Sequence, residues 1–145
     1  MSKFAATTKV PVDQSRGEID KTLQRYGATK VAYMSEDSRA IVMFEAKERR
    51  IRFDLPLLAK KAGENDATRK TREQDTRRRW RALLLCIKSK LESVESGIET
   101  FEEAFMSHVV MPDGQTVGAH LTPAIAAAYK DQVMVPLLPP PSKTK

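Results

Sequence analysis

A chain of 145 residues, 41% apolar and with a formal net charge of +6, has room for one ordinary domain and enough apolar material to build its core. The basic balance, with a pI near 9.5, favours acidic partners such as nucleic acid or an anionic surface and says little about fold. A single cysteine, Cys86, excludes an internal disulfide and the usual thiolate zinc sites, and points to a reducing, cytosolic setting. Nothing approaches the roughly 20 apolar residues of a membrane span, and the first residues carry no secretory signal pattern, so a soluble protein is expected.

Residues 1–14 read as a flexible arm, polar and without period. Ser15 to Tyr26 puts Ile19, Leu23 and Tyr26 on one helical face. Ser15 and Glu18 sit at capping-box spacing and Gly27 stands where a C-terminal cap belongs. Thr29 to Met34, Arg39 to Ala46 and Arg50 to Leu55 are rich in β-branched and aromatic residues and are separated by turn clusters, so three strands in an antiparallel meander are predicted. On the third strand Ile51, Phe53 and Leu55 share one face, leaving Arg50, Arg52 and Asp54 on a wet, mostly cationic one. Pro56 ends it, and 57–68 reads as a loop.

The dominant signal follows. Trp80, Leu84, Ile87, Leu91, Val94, Ile98, Phe101 and Phe105 alternate steps of four and three, the spacing of one helical face. The helix is expected to begin between Asp66 and Glu73 and run to about Glu95. Ser96 and Glu99 would form a second capping box that restarts it through Met106. Its middle, Ala82 to Ile87, is apolar nearly all round, which predicts burial there, Cys86 included. His108 to Val117 has the form of a small hairpin closed by Pro112-Asp113-Gly114, and Thr122 with Pro123 reads as the start of a last short helix. Residues 133–145 form a Pro-rich tail. The fold class is therefore α+β: a single domain over 15–132 with a short helix, a three-stranded meander, a long amphipathic helix, and short helices with a small hairpin.

The long helix is preceded by a dense cationic leader containing Arg69, Lys70, Arg72, Arg77, Arg78, Arg79 and Arg81. Arginines near a helix N-terminus oppose the macrodipole by roughly 0.3–1 kcal/mol each when exposed, a cost that an external anion would offset. Helix N-termini and arginine forks both bind phosphate. The competing reading is a solvated face laced by Glu73 with Arg77 and Asp75 with Arg79, leaving Arg72, Arg78 and Arg81 without a local partner. Arg50 and Arg52 on the strand would extend a phosphate footprint. Trp80, between two arginines, fits the core better than a base-stacking role. His108 and His120 lie at no metal spacing, and no nucleophile elbow, glycine loop or carboxylate pair is present, so neither a metal, a cofactor nor an enzymatic activity is expected.

Two stretches, Glu18 to Ala28 and Arg79 to Ile98, together with Phe101-Glu102-Glu103 and Met111-Pro112-Asp113-Gly114, resemble a family of small, functionally uncharacterised bacteriophage and prophage proteins. The resemblance covers most of the chain. It implies expression in a bacterial host cytoplasm and supplies no catalytic residues. The order helix, three strands, helix is also similar to that of double-stranded RNA-binding domains, whose second helix meets phosphates through basic residues at its N-terminus; their usual basic motif is absent in its expected form.

These features predict a non-enzymatic nucleic-acid-binding protein of phage type, an accessory in DNA replication or recombination. DNA is preferred over RNA, held by backbone contacts through Arg50, Arg52, Arg69, Lys70, Arg72, Arg77, Arg78, Arg79 and Arg81. Neutralising about five phosphates would give a logarithmic salt slope near −4 to −5. The alternative is an interaction module that modulates a host or phage protein, and a homo-oligomer joined through the apolar seam is a third reading.

Overall fold

In the computed structural model, which describes residues 5–138, the chain forms an α+β fold. Helix α1 (Val12–Tyr26) leads into strands β1 (Lys30–Ser35), β2 (Arg39–Ala46) and β3 (Arg49–Pro56), then α2 (Asp66–Glu95), the short α3 (Phe101–Phe105), a single 3₁₀ turn at Met106–His108, and α4 (Val117–Asp131). The three strands make one antiparallel meander in the order β1-β2-β3. Met1–Phe4 and most of the expected Pro-rich tail, from Pro139 on, lie outside the described residues.

Helix α1 starts one turn earlier than its sequence suggests. Pro11, with φ fixed at −61°, occupies the N-cap, and its carbonyl accepts from the backbone of Gln14 and Ser15. Ser15 is consequently inside the helix and fully buried, its Oγ without a hydrogen-bond partner, and cannot act as the cap. The arm is correspondingly shorter than expected: residues 12–14 are helical, and Ala5 is buried. Gly27 ends α1 in the left-handed region at φ 103°, as its position implied.

The β2–β3 turn is tight. Ala46 pairs with Arg49, so Lys47 and Glu48 carry the whole reversal, both left-handed at φ 51° and 63°. That is the backbone of a type I′ turn made without glycine.

Alternation along β2 and β3 sends Ala40, Val42, Phe44, Ala46, Ile51 and Phe53 to one face, where Ile19 and Leu23 of α1 and Trp80, Leu83, Leu84, Ile87 and Leu91 of α2 cover them. Phe105 closes this core, edge-on to Phe44 and Phe53 and tilted against Phe101. The apolar seam of α2 is thus consumed within one chain, which removes the surface that assembly through it would need. Burial of the helix middle is one-sided, however. Leu85 and Cys86 point outward and are exposed, so Cys86 is not the buried small hydrophobe expected.

The break after α2 falls at Gly97, left-handed at φ 74°, where Gly97 and Ile98 donate back to Val94 and Ser93. This turn swings the chain off the helix axis, so Ile98, in register with the seam by spacing, is 77% exposed. The second capping box exists, but four residues later than expected: Thr100 Oγ1 accepts from Glu103 N–H, and the Glu103 carboxylate from Thr100 N–H.

The Pro112-Asp113-Gly114 reversal is present, with Val110 bridged to Thr116, and the segment docks on β3 through Val110 N–H to Arg50 C=O. Helix α4 begins at Val117, capped by Thr116, so Thr122 and Pro123 lie inside it. It buries none of its residues and sits on the 3₁₀ turn through Gly118, where an added Cβ would fall 2.8 Å from the Ser107 carbonyl oxygen. No helix among the described residues is long and apolar enough to cross a membrane.

Candidate nucleic-acid interface

The leader forms the first half of α2, which is capped by Asn65 accepting from Thr68 N–H. At about 100° per residue its cations spread around the helix instead of sharing one face. Lys70, Arg77 and Arg81 follow one flank of the buried stripe and Arg72 and Arg79 the other. Arg78 points away from Trp80, and Arg69 lies in line with Trp80 eleven residues earlier.

Five of the seven are ion-paired. Arg72 grips Glu64 with two hydrogen bonds of 2.8 and 2.9 Å, and the Glu64 side chain is only 4% exposed. Those bonds hold the Glu64 carboxyl below its ordinary range. Asp75 serves two arginines at once, Arg78 and Arg79, each at 2.7 Å. Burial works to raise the Asp75 carboxyl, but the two guanidiniums outweigh it and hold it low. Arg81 crosses to Glu18 of α1 at 2.9 Å, and Arg69 lies against Asp66 at 2.9 Å and Glu73 at 3.9 Å. Of the two pairs expected from helical spacing, Asp75 with Arg79 forms and Glu73 with Arg77 does not, and of the three arginines expected to lack a local partner Arg78 has one in Asp75. The partners of Arg72 and Arg81 come from outside the helix, at separations of 8 and 63 residues that helical spacing does not report.

Two leader cations differ. Arg77 donates Nε and Nη2 to the Gln74 amide oxygen, a neutral acceptor, and Lys70 has no ion-pair partner among the described residues. The seven cations from Arg69 to Arg81 face five carboxylates, Glu18, Glu64, Asp66, Glu73 and Asp75, leaving two positive charges unmatched.

Arg50 and Arg52 do not join this surface. They occupy the face of the sheet turned away from α2, where Glu45 lies opposite Arg50 and bridges it to Lys30, at 3.6 and 3.3 Å. Arg52 donates to the Gly114 carbonyl oxygen at 2.9 Å, pinning the reversal loop, and approaches Asp54 at 3.4 Å. Met34, Ile41 and Met43 share that face, so it is less cationic than the β3 pattern alone indicated.

Two further cations had no signal in the periodic pattern. Lys9 lies on the strap 5–11, whose Ala6 and Thr8 carbonyls accept from Gln74 Nε2, and it has no ion-pair partner among the described residues. Arg16 lies 4.9 Å over the Trp80 ring and 5.7 Å over Tyr33, with a buried Nε that has no acceptor. Trp80 itself is 2% exposed, a core residue. Between strap and helix, Lys9, Pro11, Val12, Arg72, Glu73, Thr76 and Arg77 line an open cleft of about 520 Å³.

His108 stacks on Phe53 with centroids 4.0 Å apart, and burial, aided by the Lys90 charge, depresses its pKa. His120 contacts Asp113 at 2.7 Å. No group of three His, Cys, Asp or Glu side chains with the geometry to hold a metal occurs among the described residues. Comparison with family models, with curated proteins and with solved structures returns no match in any of the three.

Proposed function

We propose that this chain is a non-enzymatic, phage-type nucleic-acid-binding protein that holds the phosphate backbone with little sequence preference, as an accessory of DNA replication or recombination in a bacterial cytoplasm. The observation that carries the reading is the unmatched charge on the first half of α2: Arg77 on a neutral amide, Lys70 without an ion pair among the described residues, and one carboxylate shared between Arg78 and Arg79. Water satisfies such groups on an exposed face, and their uncancelled charge is what a polyanion would neutralise. The phage attribution rests on the resemblance in Glu18 to Ala28 and Arg79 to Ile98 alone.

The internal pairs narrow the footprint to Lys70 and Arg77, on one flank of the helix, with Lys9 beside Arg77. About three neutralised phosphates give a logarithmic salt slope near −2 to −3, shallower than nine free cations would give. Oligonucleotide titration across salt, with single-stranded DNA, duplex DNA and RNA side by side, tests the proposal. A flat slope, or unchanged binding in the triple variant Arg77→Ala, Arg78→Ala, Arg79→Ala, would refute it.

A second reading, a module that binds a host or phage protein, draws on α4, where Ile125 and Tyr129, with Val133 and Met134 beyond, are exposed apolar residues. It predicts a stoichiometric protein partner, held from nuclease-treated lysate by the natural chain and lost by Tyr129→Glu.

A further inference from the structure

The cleft between strap and α2 brings together cations from two different parts of the chain. Of its lining groups, Arg72 is already matched by Glu64 through two hydrogen bonds, and Glu73 faces Arg69. Lys9 and Arg77 have no ion pair among the described residues, and the one carboxylate on the wall, Glu73, stands 3.9 Å from an Arg69 that Asp66 already holds at 2.9 Å, so the open volume keeps a net positive charge. At about 520 Å³ the cleft falls within the 300–1,000 Å³ typical of small-molecule sites, large enough for a phosphate and its sugar.

The two sides are also held in register. Gln74 donates Nε2 to the strap carbonyl of Thr8 at 2.8 Å, while its amide oxygen accepts from Arg77 Nε and Nη2 at 3.1 and 2.7 Å. One side chain therefore fixes both where the strap lies and which way the guanidinium turns. Arginine has five N–H donors, and this arrangement uses two, leaving three for a ligand. An anion would meet a fork already oriented, with little ordering cost. Pro11 and Val12 add an apolar wall of the kind a sugar or base edge can rest on.

From this we infer that the cleft binds a phosphomonoester, the phosphorylated end of a nucleic-acid strand, through Lys9 and Arg77. The inference rests on the nucleic-acid reading above and gives it a polarity. A backbone diester brings one negative charge and must leave the cleft in two directions. A terminal phosphate brings between about one and a half and two at neutral pH and leaves in one, so it gains more than a diester from the cleft's net positive charge and needs a single exit.

The test is fluorescence anisotropy with one single-stranded DNA sequence prepared three ways: 5′-phosphorylated, 3′-phosphorylated, and with hydroxyls at both ends. The natural chain is expected to bind one of the phosphorylated strands about tenfold more tightly than the hydroxyl strand, and both Lys9→Gln and Arg77→Gln are expected to abolish the difference. Lys9 is exposed on the strap and lies outside α2, so Lys9→Gln reads the cleft even if Arg77→Gln perturbs the helix. Inorganic phosphate should compete with the phosphorylated strand and leave the hydroxyl strand bound. Equal affinity for all three strands, or a preference that survives Lys9→Gln, overturns the inference while leaving backbone binding intact. Failure of every strand to bind overturns the nucleic-acid reading and the inference with it.

Discussion

Arg77 turns its Nε and Nη2 onto the amide oxygen of Gln74, so the guanidinium is oriented by a neighbour that does not cancel its charge. Gln74→Glu would keep the shape, supply the missing negative charge and withdraw the Nε2 donor from the strap. Oligonucleotide affinity at about 0.1 M salt is expected to fall roughly three- to tenfold, the order that removing one phosphate contact produces. Folding stability should change by less than about 1 kcal/mol, the scale of a partly exposed pair. Anisotropy and thermal melts read the two effects separately, and unchanged binding would mean that the Arg77 charge meets no anion.

Asp75→Asn makes the opposite change. It releases Arg78 and Arg79 from the carboxylate they share, at a stability cost of roughly 1 kcal/mol for two part-exposed charge-assisted bonds. If these arginines reach phosphates, affinity rises and the logarithmic salt slope steepens by about 0.7 to 0.9 for each phosphate gained. A mutation that weakens the fold and tightens the ligand is hard to obtain by damage, so the sign of the change is the informative result.

Phe105→Ala addresses the core. Phe105 is fully buried against Phe44, Phe53 and Phe101 on a helix of only five residues. Loss of about 3–5 kcal/mol is expected in denaturant unfolding. A loss below about 1 kcal/mol would mean that α3 does not close the core.

His108 should make stability depend on pH. Its folded pKa lies below the ordinary 6.5, so the unfolded chain takes up the proton first. Its contribution is complete above that value and is lost as pH falls through 6.5 toward the folded pKa. The melting temperature is expected to drop between about pH 7.5 and 5.5, and His108→Phe, which keeps a ring on Phe53, should flatten that limb. An equal drop in the variant would place the titration elsewhere.

Replacing Glu48 with glycine should stabilise the chain. A left-handed L-residue costs roughly 1–2 kcal/mol, and Glu48 sits at φ 63°. A gain of about 1 kcal/mol in unfolding free energy is expected; no gain would mean that the turn relaxes this strain by other means.

The fold was largely legible because periodicity reports burial directly. The seam from Trp80 to Leu91 and the alternation at Ile51 and Phe53 each point to one face, and those faces meet. Element starts were less legible. Ser15 and Glu18 have capping-box spacing, yet Pro11 begins the helix four residues sooner, and Thr122-Pro123 resembles a start that Thr116 has already made. The site was the least legible part. The cations were visible, but their acceptors Glu64 and Glu18 come from a loop and another helix, which helical spacing does not report, while strand alternation already set Arg50 and Arg52 on the face away from the core. Lys9 carried no local signal, since its relevance comes only from where the strap is tied down.

Helix α4 rests on the rest of the chain through a seat made by Gly118 against Ser107, and no side chain of its fifteen residues enters the core. Its amide protons are therefore governed by an opening that leaves the sheet and α2 intact, and should exchange with solvent orders of magnitude sooner than those around Leu84. Hydrogen exchange is expected to resolve two unequal units, a cooperative block and an appended rod that opens ahead of it.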